Sequence, residues 1–274
     1  MNIRNYGGSK TWIRWLRKIS TRLLGRSILL PSSFAKGTET SVFINKLLVN
    51  FENATYLEIG VNNGATFEAI SLRVKVAVDP YPKYFNLYSR NMRTYTCTSD
   101  DYFEKHCNEY FDLIYLDGLH HFDQTWCDLQ NALRRIKPSG LILIDDIVPS
   151  DKFSGIIPRT SALEARFLST GSLDPSWTGD IYKIGILLSK LPENFVFRVI
   201  DFRNNPRAIL FSANYDWKAF PIPDFETIKR ANDTSPESIF DFQFAKVPIP
   251  TIFRPISPDE ATQITRNHIE GFRS

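Results

Sequence analysis

The sequence has few cysteines, three in 274 residues. Cys97, Cys107 and Cys127 stand singly, with no C-x-x-C pair, which excludes a zinc knuckle and a disulfide framework. This usage fits a reducing, cytosolic compartment. The chain also lacks an apolar run near the roughly 18 residues needed to cross a bilayer. The N-terminal positive charges are not followed by an apolar core and small residues, so no secretory leader is expected. There is no internal repeat and no low-complexity tract. Acid is missing from one stretch: residues 1–36 hold eight basic residues, and the first acid is Glu39. The net charge of +3 therefore conceals a mildly acidic main body, which argues against a nucleic-acid-binding face across the domain.

What is present suits one generous α/β domain with appendages. Residues 10–24 read as an amphipathic helix, with Trp12, Trp15, Leu16, Ile19, Leu23 and Leu24 at helical spacing and arginines and lysines between them. Two placements stay open for it: docked on the main domain or a second subunit, or peripheral on an anionic membrane surface. An organellar transit peptide shares its Arg-rich, acid-poor composition. The expected organisation is a basic helical extension over residues 1–40, a main domain over 41–213, and a Pro- and aromatic-rich tail over 214–274 packed on that domain. The helix and tail offer surfaces for a homo-oligomer.

From residue 54 short apolar runs alternate with helical patterns. Strands are expected over 56–59, 74–78, 95–98, 113–116 and 141–144, with helices over 66–72, 84–92, 101–107 and 122–136. Further helices are expected over 161–169 and 180–190, and in the tail over 224–231 and 258–271. This alternation builds a parallel sheet covered on both faces. Strands over 195–202 and 207–212, joined by a short polar link, read as an antiparallel hairpin. The fold class is thus a doubly wound, seven-stranded, mostly parallel Rossmann-like α/β sheet ending in a C-terminal hairpin.

Ligands of such sheets bind outside the carboxyl ends of the strands. There the sequence places Glu58 and Gly60, then Asp79, then Ser99 and Asp100, then Asp117, then Asp145 and Asp146. Every strand end bears a carboxylate. In Leu57-Glu58-Ile59-Gly60-Val61-Asn62-Asn63-Gly64, Gly60 allows a tight turn and Gly64 lets the next helix approach a ligand. The acid ahead of the turn and the missing third glycine disfavour a dinucleotide. A cationic ligand without phosphate fits better, as S-adenosylmethionine is, with its sulfonium and ammonium. Asp79 then stands where a carboxylate takes ribose hydroxyls, and Ser99 and Asp100 where they meet the adenine edge.

The run Phe111-Asp112-Leu113-Ile114-Tyr115-Leu116-Asp117-Gly118-Leu119-His120 precedes a helix. Then comes Lys137-Pro138-Ser139-Gly140-Leu141-Ile142-Leu143-Ile144-Asp145-Asp146. Together with the glycine turn these resemble the class I S-adenosylmethionine-dependent methyltransferases, in the branch that holds metal-dependent sugar and macrolide O-methyltransferases. The resemblance covers roughly residues 56–212. It departs at Ser139, where the family has glycine, and at Phe122-Asp123, where it has Tyr-Glu. It implies that Asp117, Asp145 and Asp146 hold a divalent ion, and that His120 is a candidate base. The residues themselves agree on the ion, since clustered carboxylates repel unless a hard cation such as Mg²⁺ neutralises them; otherwise one Asp caps a helix and one faces the cofactor. Catalytic roles thus fall to His120 and Asp117, while His121 is expected to point elsewhere. Trp177-Thr178-Gly179-Asp180-Ile181-Tyr182-Lys183 resembles another run of this branch. Its Asp180 and Lys183 either orient the acceptor or form a helix cap and a salt bridge.

The expected activity is O-methylation of a sugar, glycan or secondary-metabolite hydroxyl. The alternatives are a metal-free methyltransferase with a nitrogen or carboxyl acceptor, and a non-catalytic methyltransferase-like module that binds a partner.

Overall fold

The computed structural model describes residues 38–83, 92–203, 205–244 and 246–274. The amphipathic helix expected over 10–24 lies outside the described residues. So does the helix expected over 84–92, except for Met92, which opens a strand.

In chain order the elements are α1 (Glu39–Leu48), β1 (Thr55–Ile59), α2 (Ala65–Ala69), β2 (Val74–Val78), β3 (Met92–Tyr95), α3 (Ser99–Lys105), β4 (Phe111–Leu116), α4 (Phe122–Leu133) and β5 (Ile136–Ile144). After them come α5 (Arg159–Thr170), α6 (Tyr182–Leu188), β6 (Phe195–Ile200), β7 (Arg207–Ser212), α7 (Phe225–Asn232), β8 (Pro255–Ile256) and α8 (Pro258–Arg273). The sheet runs β3-β2-β1-β4-β5-β7-β6-β8. Strands β1 to β5 are parallel, and β7 lies antiparallel between β5 and β6. The order reverses between β1 and β4, and a doubly wound sheet binds its ligand at such a switch.

The sheet has eight strands where the sequence pattern gives seven. The extra one, β8, is a two-residue strand pairing Pro255 and Ile256 with Val199 and Ile200. A pair that begins with proline carries no alternation to read. β3 also ends three residues before the expected 95–98. Thr98 is β-branched and reads as strand, but its hydroxyl caps α3 by accepting from the Asp101 amide. α1 has no counterpart in the expected pattern. Thr38 caps it, and Phe43, Ile44, Leu47 and Leu48 form its buried face.

The central strands hold the core. Every residue of β4 and β7 is buried, as befits strands covered on both faces. The C-terminal segment adds to this core through Trp217, Phe220, Phe253 and Ile269. Trp217 also donates its indole N–H to the Lys137 carbonyl. Among the described residues no helix is long and apolar enough to cross a membrane.

Candidate active site at the carboxyl ends of the central strands

The glycine turn is fixed by close backbone contact. Gly60 follows β1 with φ +82°, and a Cβ built there would lie 1.8 Å from the Asp117 carbonyl oxygen. The Gly60 amide donates to the Val78 carbonyl, and the Asp117 amide to the Ile59 carbonyl, both at 2.8 Å. The tips of β1, β2 and β4 are therefore clamped together, and only glycine fits between them. Gly64 opens α2 from a left-handed conformation.

Asp79 stands at the tip of β2 as expected. One of its oxygens accepts from the amides of Val61 at 2.9 Å and Asn62 at 2.6 Å; the other accepts from Tyr81 at 2.7 Å. This carboxylate therefore shapes the glycine loop directly. Glu58 is 2% exposed and accepts from the Tyr56 hydroxyl at 2.6 Å. Burial pushes its carboxyl up to about 8, with Asp117 adding to the rise and the Tyr56 bond opposing it. Ser99 and Asp100 lie in the first turn of α3, not on a loop after β3. Gln124 of α4 donates to both, at 3.2 and 3.3 Å, and to Asp128 at 3.1 Å.

Asp128 is a residue the sequence reading missed. It is 2% exposed, and burial raises its carboxyl to about 6. Its Oδ2 lies 3.3 Å from where a Cβ on Gly118 would stand, so it borders the tip of β4. Its position one turn after Gln124 on the buried face of α4 is the signal that locates it.

The pair after β5 divides. Asp145 accepts from the Tyr115 hydroxyl at 2.6 Å and from Asn205 Nδ2 at 3.0 Å, and lies 3.0 Å from Arg207 Nε. Asp146 has φ +55° and a different main partner. Its Oδ2 is 2.6 Å from His120 Nδ1, and its Oδ1 accepts from Asn205 at 2.7 Å. His120 Nε2 is 3.5 Å from Asp117 Oδ1. Asp117, His120 and Asp146 are the one group among the described residues with three metal-capable side chains brought together, their ligand atoms within 4.8 Å of one another. Of the three expected ligands, Asp117 and Asp146 thus meet. Asp145 lies against Arg207 instead, and the third member of the cluster is His120.

Burial alone would lower the His120 imidazole. The bonds and charges of Asp117 and Asp146 outweigh it and hold the ring's pKa at about 10. Burial pushes the Asp117 carboxyl up despite the His120 contact.

The run from Trp177 to Lys183 sets this histidine. The Trp177 ring lies parallel to His120, with centroids 5.5 Å apart and planes 11° apart. A Cβ on Gly179 would meet the His120 carbonyl oxygen at 1.7 Å. Asp180 accepts from the Phe122 amide at 2.7 Å, capping α4 directly after the histidine turn. Lys183 lies 2.8 Å from the other Asp180 oxygen and donates to Asn232. Of the two readings of Asp180 and Lys183, the cap and salt bridge are present, although the helix capped is α4. His121 stands at the N-cap of α4 and meets Trp177 edge-on, away from the carboxylates.

Residues 57–147 match the family model described as a methyltransferase domain. Over this span the chain carries a methyltransferase domain. The matched span contains every cofactor and metal candidate from Glu58 to Asp146 and stops before Trp177. Among solved structures, an O-methyltransferase from Bacillus cereus in complex with SAH is 17% identical, with 72% of this chain and 96% of that one covered and a TM-score of 0.44. The cofactor-bound Rv0187 from MTB is 14% identical over 77% of this chain and 99% of that one, with a TM-score of 0.46. An rRNA methylase from Streptococcus thermophilus is 12% identical over 63% and 93%, with a TM-score of 0.42. No curated protein sequence matches the chain.

Beside the three-residue cluster lies a cavity of about 460 Å³. Its lining includes Asp146, Pro149, Trp177, Arg203, Asn205 and Lys246. That volume lies within the range of small-molecule sites.

Proposed function

We propose that this methyltransferase moves the methyl group of S-adenosylmethionine to a hydroxyl oxygen of a small molecule or glycan seated in the cavity beside Asp146. The observation that carries the reading is the Asp117–His120–Asp146 cluster, which stands at the switch point of the sheet and reaches the cavity lining. The oxygen lone pair attacks the methyl carbon, the carbon–sulfur pair returns to sulfur, and the hydroxyl proton must leave. Asp117 and Asp146 supply carboxylate oxygens to receive a hydrogen bond from that hydroxyl. His120, with both ring nitrogens against carboxylates, aligns the two acids in this arrangement and offers no nitrogen lone pair.

The cluster also fits a divalent cation, which would lower the pKa of an oxygen bound to it. Two carboxylates with one imidazole form a more nitrogen-tolerant set than the three carboxylates expected. This favours Mn²⁺, Fe²⁺ or Zn²⁺ alongside Mg²⁺. A metal-free mechanism has one observation in its favour: both ring nitrogens of His120 already face the two carboxylates. Turnover after EDTA treatment separates the two. Loss of activity restored by Mg²⁺ or Mn²⁺ supports the metal, and activity unaffected by chelation removes it from the mechanism.

A further inference from the structure

The acceptor cavity contains a cation with no carboxylate partner among the described residues. Two basic side chains reach the lining, Arg203 and Lys246. Lys246 is ion-paired with Asp201. Arg203 is exposed, and no carboxylate of the described residues lies within ion-pair distance of it. Elsewhere in the site the charges are matched: Asp145 by Arg207, Asp146 by His120, Asp180 by Lys183.

The link between β6 and β7 fixes where Arg203 stands. Asn205, two residues further on, donates to both Asp145 and Asp146. Two residues span at most about 7 Å of chain. The Arg203 backbone is therefore held near the reacting end, and the residue lines the same cavity as Asp146. Several other polar groups of the lining are engaged already. Thr178 donates to the Ser154 carbonyl, Ser176 to Asp174, and the Trp177 indole N–H to the Ile156 carbonyl. Arg203 is left as the uncommitted charged donor, and its planar fork matches a carboxylate or a phosphate.

From this geometry we infer that the methyl acceptor is an anion: a hydroxyl compound whose carboxylate or phosphate is held by Arg203 while its hydroxyl lies at Asp146. The inference rests on the cavity being the acceptor site, as proposed above. Arg203 is a specificity-determining residue in this scheme.

The test uses the full chain loaded with S-adenosylhomocysteine and two matched probe series at millimolar concentration. One is glucose, glucuronate and glucose 6-phosphate; the other is catechol and 3,4-dihydroxybenzoate. Binding is read by calorimetry and thermal shift on the wild type and on Arg203→Gln. An anionic member is expected to bind about tenfold more tightly than its neutral partner, as a charge-assisted pair at a partly solvated site gives. Glucuronate against glucose 6-phosphate tells carboxylate from phosphate. In Arg203→Gln the preference disappears while S-adenosylhomocysteine binds as before. Neutral members binding as tightly, no anion binding at all, or a preference that survives Arg203→Gln would each overturn the inference. Failure of the wild type to bind S-adenosylhomocysteine is a different result, and defeats the underlying methyltransferase site.

Discussion

At the residue scale the chemistry depends on backbone positions that look unremarkable in sequence. His120, Asp146 and Gly179 all have positive φ, and two of these are not glycine, which is an uncommon conformation for them. Gly179 makes room for the His120 carbonyl, so a methyl group there must displace the histidine turn. Gly179→Ala is expected to lower kcat at least tenfold while S-adenosylhomocysteine affinity changes little, measured by steady-state kinetics and calorimetry. An unchanged kcat would show that the position of His120 does not matter. A second prediction concerns the proton on His120. With its imidazole held at about 10, a cation that ligates the ring must expel a proton at pH 7. Mn²⁺ affinity should therefore rise with pH, and titrations in buffers of different ionisation enthalpy should report about one proton released per ion. An ion that binds with no proton release does not use His120.

The sequence already placed Asp117, Asp146, Gly60 and Asp79 at strand tips, because strand ends and glycine turns are read locally. Asp145 was indistinguishable from Asp146 on that basis. What separates them is the left-handed backbone of Asp146 and the distant Arg207, neither of which has a local signature. Asp128 escaped notice for a related reason, since its burial depends on how α4 packs against the tip of β4.

At the element scale, the chain after β5 serves as a bracket for the histidine turn. Asp180 caps α4 and pairs with Lys183, and both side chains are largely buried. Asp180→Ala removes the cap and leaves a largely buried ammonium with the Asn232 oxygen but no counter-charge, which costs about 3 kcal/mol. The urea midpoint should fall accordingly, with an unchanged m-value. A loss of under about 1 kcal/mol would mean that the pair is solvated, as surface pairs are. Arg166 acts on the same bracket. It is 2% exposed, pairs with Asp151, and donates to the carbonyls of Asp174 and Ser176, tying together the two segments that flank the cavity. The motif around Trp177 was visible in the sequence, but its target was not. Phe122 is 58 residues from Asp180, and such pairing comes only from the fold. β3 shows the opposite difficulty, where Thr98 had strand propensity and the cap took precedence.

At the scale of the whole molecule, the crown of acids makes stability depend on ligand and pH together. Glu58 and Asp128 have folded pKa values of about 8 and about 6, above their ordinary carboxyl values, and His120 is raised to about 10. All three bind protons more tightly folded than unfolded. Their contribution is thus fully present below their unfolded values and is lost as pH rises through the folded ones. The ligand-free protein should lose Tm steadily from about pH 5 to pH 9. S-adenosylmethionine should raise Tm more at pH 8 than at pH 5.5, because an ionised Glu58 attracts its positive charge. A ligand-free Tm that climbs across that window would contradict the burial of these groups as protonated acids.

The central claim is that the acid-lined tips of β1, β2 and β4 form a site for a cationic methyl donor. Calorimetric titration with S-adenosylmethionine tests it directly, on the wild type and on Gly60→Ala, where the added methyl collides with the Asp117 carbonyl. The account predicts saturable one-to-one binding to the wild type and a loss of at least tenfold in the variant. No heat and no thermal shift with the wild type would contradict it.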